Sequence, residues 1–236
     1  MKIRFHYIAM LALVASICSC EKDNYEAPSS LLSGRIVYQG EAIGVENNQV
    51  PLELYQSGFG KVGAIGSSFA QDGSYSALLF DGDYKLIIPN GQGPFMWKYT
   101  STGAPDSISV AMNGSQTLDL EVTPYYMIRT PQITGSGSTV TATFKAEKII
   151  TDAANAKDIE RVSLFINKTQ FVSGNGDQRI ANTDLSGTDI TDINNITLSV
   201  GVPATTPAQN YVYARIGLKI VNVEDMLFSP VVKIQL

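Results

Sequence analysis

The sequence predicts an all-β chain built as two tandem antiparallel β-sandwich domains, and three observations carry the prediction. Apolar and polar residues alternate in short runs, as they do on half-buried strands. Gly, Asn, Asp and Pro punctuate those runs, most clearly at Asp72-Gly73, Asp81-Gly82 and Asn113-Gly114. Helical periodicity is nearly absent; only the alanine-rich stretch Asp152 to Asp158 suggests one helical turn. With 236 residues, 44% of them hydrophobic, the chain can build two cores in domains of about 100 residues each.

The first residues stand apart from this pattern. Lys2 and Arg4 precede an apolar run from Ile8 to Ile17. The run suits the core of a signal peptide, and it is too short for a membrane-spanning helix, which needs roughly 20 residues. Ile17-Cys18-Ser19-Cys20 resembles a bacterial lipobox, with an aliphatic residue three before the cysteine and a small one just before it. Residues 1–19 are therefore expected to be a lipoprotein signal peptide, and Cys20 the lipid-bearing first residue of the mature chain. A plain secretory signal cut at the same small residue is the alternative. Glu21-Lys22-Asp23 resembles the acidic, lysine-containing tag that routes Bacteroidetes lipoproteins to the outer face of the outer membrane. That resemblance implies a lipid-anchored cell-surface location; a periplasm-facing anchor is the alternative. Residues 20–29, polar and ending near Pro28-Ser29-Ser30, read as a lipidated tether.

Residues 30–125 are expected to form the first sandwich. Leu32 to Tyr38 and Val50 to Tyr55 read as strands, and Ser67 to Ala70 with Ser74 to Leu79 read as a hairpin about Asp72-Gly73. Asp83 to Ile88 follows Asp81-Gly82. Ser107 to Met112 and Thr117 to Val122 read as a second hairpin, with Leu118, Leu120 and Val122 inward. The alternation resets between Pro124 and Pro131, which puts the boundary near residue 126. In residues 126–236, Val140, Ala142, Phe144 and Ala146 alternate with polar neighbours. Val162, Leu164 and Ile166 do the same, as do Ile196, Leu198 and Val200, and the set from Val212 to Ile220. Phe228 to Leu236 is expected to close the chain as a last strand, completing a sandwich of immunoglobulin or fibronectin type III kind.

Two resemblances sharpen this. Leu32-Ser33-Gly34-Arg35-Ile36, Pro51-Leu52-Glu53-Leu54-Tyr55, Asp72-Gly73-Ser74-Tyr75 and Gly82-Asp83-Tyr84-Lys85-Leu86 resemble the prealbumin-like fold of carboxypeptidase regulatory domains. The resemblance implies a scaffold without catalytic residues, in which the "D-G-x-Y" and "G-x-Y-x-L" segments form a central hairpin. The lipobox, Asp23-Asn24-Tyr25-Glu26-Ala27-Pro28-Ser29 and the Leu32-Ser33-Gly34 opening together resemble a family of two-domain Bacteroidetes lipoproteins of unknown function. Membership implies a place beside glycan-import systems of the starch-utilisation type, with outer-membrane importer proteins and polysaccharide as partners.

Composition narrows the chemistry. Cleavage before Cys20 removes Lys2 and Arg4 and leaves 15 basic against 22 acidic residues, a charge of −7. Nucleic-acid binding needs clustered Lys and Arg and is disfavoured. The same cut removes His6, the sole histidine, and Cys18, while lipid occupies Cys20. Without imidazole or free thiol, Ser-His-Asp and Cys-His catalysis and His-based zinc sites are excluded. A non-enzyme with no catalytic residue, no metal and no cofactor is expected. The turns Asp81-Gly82-Asp83 and Asn175-Gly176-Asp177 lack the alternating oxygens of a calcium loop.

The segment Gly91 to Tyr99 holds the single tryptophan in a Gly- and Pro-marked loop. Phe95, Trp97, Lys98 and Tyr99 are the candidate glycan or partner contact, since sugars lay flat C–H faces on exposed rings. The competing role is a plug at the sandwich end or at the seam between domains. Tyr125 and Tyr126 join the candidates because they stand at the boundary, where a cleft can form. Tyr211 and Tyr213 share a strand face with Arg215 and Lys219 and read as a mixed outer face. The expected function is a non-catalytic accessory lipoprotein that binds or presents glycan for an uptake system, with a structural or protein-interaction module as the alternative.

Overall fold

A computed structural model of the protein describes residues 26–58 and 63–236; the expected signal peptide, Cys20 and most of the expected tether lie outside the described residues. The fold is all-β. The strands of the first half are β1 (Ser30–Tyr38), β2 (Glu41–Ala42), β3 (Pro51–Gln56), β4 (Ala64–Ser68), β5 (Ser74–Leu79), β6 (Gly82–Ile87), β7 (Phe95–Met96), β8 (Ile108–Met112), β9 (Gln116–Thr117), β10 (Leu120–Glu121) and β11 (Thr123–Pro124). β1 centres one sheet, with β5 and β2 antiparallel along one edge and β9 and β10 parallel along the other. The facing sheet runs β4-β3-β6-β8 and is antiparallel throughout. Leu32, Ile36, Tyr75 and Leu120 of the first sheet belong to one buried core with Leu52, Leu54, Leu86 and Val110 of the second. Each such aliphatic side chain stabilises the fold by about 1.5–3 kcal/mol through burial.

The three turns marked by Asp-Gly and Asn-Gly form, but the strands beside them do not pair with each other. Asp72-Gly73 carries the chain from β4, bonded to β3, over to β5, bonded to β1. Asp81-Gly82 returns it to β6, and Asn113-Gly114 takes it from β8 to β9. The expected hairpins are therefore crossings between sheets. Phe69 shows why at the first of them: it turns fully into the core directly after β4 and gives its N–H to Val50 O at 3.0 Å, away from β5. Asp81 serves the last crossing, accepting from Ser30 Oγ and from Gly114 N. Along the parallel edge, Ser115, Asp119 and Glu121 side chains accept the N–H groups of Leu31, Arg35 and Gln39 and cover donors that would otherwise be left open.

The second half contains β12 (Tyr126–Ser136), β13 (Thr139–Lys148), β14 (Ile159–Asn167), β15 (Ala181–Ser186), β16 (Ile196–Gly201), β17 (Tyr211–Ile220), β18 (Leu227–Phe228) and β19 (Val232–Gln235). One sheet is β12-β13-β16; in the other, β15, β14 and β17 lie side by side, and β18 and β19 both pair with β17. Pro131 falls where the β12–β13 register slips between Arg129 and Gln132, so the missing N–H sits in a bulge. The expected last strand is two, parted at Ser229-Pro230. The alanine-rich stretch forms one turn, in which Ala156 N donates to Asp152 O at 2.8 Å and Asp152 Oδ1 accepts Asn155 N at 3.0 Å.

β14 departs from simple alternation because both of its faces are covered. Val162, Leu164 and Ile166 enter the sandwich core, while Phe165 joins Val172, Met226 and Phe228 in a separate apolar cluster on the opposite face. On that opposite face Arg215 of β17 is 1% exposed. It reaches across to the first half: Nη1 donates to Val45 O at 3.0 Å, Nη2 to Gln71 O, and Nε to Ser229 O at 2.7 Å within its own half. The Phe228 ring lies under the guanidinium, 4.3 Å from its carbon. Burial pulls the guanidinium pKa down to about 9, with Glu46 and Asp72 pulling it back up, so the charge persists at neutral pH. The expectation of a mixed outer face at Arg215 is thus replaced by a seam. Beside it Phe228 N donates to Gly44 O at 2.9 Å, an approach that needs glycine, since a Cβ at Gly44 would lie 2.5 Å from Phe228 O.

Candidate functional site

A second stretch of the seam forms an open groove with a volume of about 610 Å³. Met96, Trp97 and Lys98 form one wall, Glu121, Val122 and Thr123 a second, and Ile149, Ile150, Thr151, Asp152 and Asn155 of the second half the third. β7 and β11 pair across its base, through Met96 with Thr123 and Phe95 with Pro124. Tyr125 then ties the halves, with its N–H on Pro94 O at 3.2 Å and its carbonyl accepting Ile149 N at 3.0 Å. On the far side of this loop, buried Asp225 of the second half accepts Gly93 N at 2.7 Å.

The candidate residues separate into two groups. Phe95 and Trp97 are each 4% exposed and belong to the core. Phe95 folds back over Gly93, which adopts φ +82° to allow it. The Trp97 indole N–H donates to Asp106 O at 2.8 Å, as a buried tryptophan normally requires. These two rings therefore form no sugar-stacking surface; they plug the seam, and only the rim of Trp97 borders the groove. Tyr126 is likewise buried, its hydroxyl on Lys157 O at 2.9 Å, and burial raises its pKa. Lys98 is exposed, Tyr99 is 39% exposed with its hydroxyl on Asn90 Oδ1, and Tyr125 is half-buried with the Lys157 ammonium 5.3 Å from its ring centre.

The groove brings together residues that sequence reasoning passed over. Thr123, Thr151, Asp152 and Asn155 supply hydroxyl, carboxylate and amide groups, and Ile149, Ile150 and Val122 supply an apolar floor. Their only signal in the sequence was the turn at Asp152. Both lining carboxylates carry structural bonds: Glu121 Oε1 accepts Gln39 N at 2.7 Å, and Asp152 Oδ1 accepts Asn155 N and Nδ2. Among the described residues no group of three His, Cys, Asp or Glu converges in a way that would hold a metal ion.

Comparison with known proteins agrees with this architecture. A family model described as "Protein of unknown function (DUF3823) N-terminal domain" matches residues 30–123, and one described as "Domain of unknown function (DUF3823_C)" matches residues 126–233. A solved DUF3823 family protein from Parabacteroides merdae is 34% identical, with 89% of this chain and 100% of that one covered and a TM-score of 0.75. Another from Bacteroides ovatus is 29% identical over 88% and 99% of the two chains, with a TM-score of 0.73. A third structure, from Bacteroides uniformis and described as a "putative carbohydrate binding protein", is 21% identical over 89% and 100%, with a TM-score of 0.67, a likeness of fold. No curated protein matches the chain. Nothing in the families or the site points positively to catalysis. On these matches the chain belongs to the DUF3823 family along both its N-terminal and its C-terminal half.

Proposed function

We propose that this protein is a non-catalytic accessory lipoprotein, anchored in the outer membrane through Cys20, that binds or presents a neutral glycan for a polysaccharide uptake system. The observation that carries the reading is the groove of about 610 Å³ at the seam, with an apolar floor and a rim of hydroxyl, amide and both signs of charge. A neutral sugar offers C–H faces to such a floor and hydroxyls to such a rim, and no net field is needed to hold it. The fold it shares with the Bacteroides uniformis protein supports the choice of ligand class. Glycan contact moves from the Phe95 and Trp97 rings to Lys98, Thr123, Thr151 and Asn155. The surface location rests on the lipobox and the acidic tag, and the importer partner on the resemblance to two-domain Bacteroidetes lipoproteins, rather than on the groove.

Affinity electrophoresis of the full-length chain in gels carrying neutral glucans, mannans or xylans tests this. A retarded wild type and an unretarded Asn155→Trp, which fills the groove, is the expected result. Retardation that Asn155→Trp leaves intact removes the groove from the argument. The second reading, a protein-interaction module that holds importer components without touching sugar, is favoured by the burial of Trp97, and wild type that runs unretarded in every gel selects it.

A further inference from the structure

The two tyrosines of β17 differ from the buried tyrosines among the described residues. Tyr75, Tyr84 and Tyr126 are buried, and each gives its hydroxyl to a backbone carbonyl. Tyr211 and Tyr213 are half-exposed, pack edge to face with centroids 5.8 Å apart, and have no hydrogen-bond partner for either hydroxyl among the described residues. Lys233, directly across from Tyr213 on β19, is exposed and lays its ammonium 4.0 Å from the Tyr211 ring centre. No carboxylate pairs with it among the described residues. The rings stand on a strand bonded on both sides, to β14 and to β19, so they are held on a rigid element and not on a loop.

This face also has an edge. Val231, two positions before Lys233, packs like Tyr213 against the apolar cluster of Phe165, Val172, Met226 and Phe228 and at the same time lines a cleft of about 360 Å³ at the seam. Arg35 and Asp72, an ion pair at 3.5 Å contributed by the first half, also line the cleft.

We infer that Tyr211, Tyr213 and Lys233 form a binding surface for a sugar acid, a pyranose ring bearing a carboxylate. The aromatic faces take the flat C–H side of the ring, and the free phenol hydroxyls reach its hydroxyls. The Lys233 ammonium over Tyr211 is the group that recognises the carboxylate. A cation over an exposed ring is weakly held, whereas ammonium to carboxylate is a charge-assisted hydrogen bond, so the incoming carboxylate draws Lys233 aside and uncovers Tyr211. The adjoining cleft leaves room for a neighbouring residue of the chain. The chain is acidic overall, at −5, so a polyanion is not held here by bulk charge. This surface shares no residue with the groove at Asn155.

The test is affinity electrophoresis of the full-length chain in gels containing polygalacturonate, dextran or polyglutamate. Polygalacturonate is expected to retard the wild type, and any retardation in dextran, a neutral glucan, is expected to vanish with Asn155→Trp. Tyr211→Ala and Lys233→Met each weaken the retention about tenfold, Tyr211→Phe largely keeps it, and Asn155→Trp leaves it unchanged. A thermal melt shows each variant folded as the wild type, since these side chains lie outside the core. The inference is overturned by an unretarded wild type, by retention that Tyr211→Ala and Lys233→Met do not alter, or by equal retention in polyglutamate, which would mark an acidic-peptide surface instead.

Discussion

The loop from Gly91 to Tyr99 and the strand from Tyr211 to Ile220 make a useful pair. On sequence grounds the loop offers its rings either to solvent or to a seam, and one face of the strand is where polar residues should meet solvent. In the structure Trp97 of the loop is 4% exposed and Arg215 of the strand 1%, while Tyr211 and Tyr213 stay half-exposed. Local pattern reports which face of a segment leaves its own sheet. It does not report whether another body covers that face. Arg215 is covered from the first half of the chain, and the loop of Trp97 is tied to the second half through Gly93 and Asp225, so residues that look like surface are recruited to the seam.

Four experiments break or sharpen this contrast. Arg215→Ala has the largest expected effect, a loss of about 3–5 kcal/mol in urea unfolding, because it strands three carbonyl acceptors in a buried seam. Arg215→Lys recovers little of it, since an ammonium cannot span the same fork. A loss below about 1 kcal/mol would mean that Arg215 merely occupies the seam. Gly44→Ala comes next at about 2 kcal/mol, from the clash its Cβ makes with the Phe228 carbonyl. Trp97→Phe is expected to cost about 1–2 kcal/mol, from the lost indole bond and a partly empty site. A wild-type melting curve for Trp97→Phe would show that the loop is held from elsewhere.

The smallest effect concerns pH. Burial raises the Asp225 carboxyl above the ordinary aspartate value, and the hydrogen bond from Gly93 only partly opposes it. With the folded pKa above the unfolded one, the folded state keeps a proton that the unfolded state has released. Stability from this group is therefore greatest below about pH 4, the unfolded value, falls as pH rises through the raised value, and is level above it. Asp225→Asn should remove that fall, which the difference in melting temperature between the two proteins across pH 4–8 reads out. Parallel curves would take Asp225 out of the pH response. Carboxylates with lowered values, such as Glu147 beside Arg129, act in the opposite sense and are common to both proteins.

Much of the fold was legible for a plain reason. In β13, β16 and β17 the apolar set at every second residue packs against its own sandwich, and that set needs no knowledge of the rest of the molecule. The turns were legible too, because Asp-Gly and Asn-Gly fix local backbone geometry. Strand partners were not. Whether Asp72-Gly73 closes a hairpin or carries the chain between sheets depends on where Phe69 and Tyr75 find their neighbours, and those lie far away in sequence. The candidate site was legible only in part. Lys98, Trp97 and Tyr125 do border or adjoin the groove, but Thr123, Thr151 and Asn155 come from separate segments with ordinary composition and meet only after the two halves dock.

The guanidinium at the seam bears on how such proteins are inherited. Arg215 depends on carbonyls at Val45 and Gln71, which belong to the other half and are presented by backbone rather than by any particular side chain. Sequence drift at positions 45 and 71 is therefore tolerated so long as the loops keep their path, whereas an exchange of one half for an unrelated sandwich leaves the charge only Ser229 O and the Phe228 ring. The two halves are thus coupled through the path of the backbone and not through the identity of the side chains at those two positions.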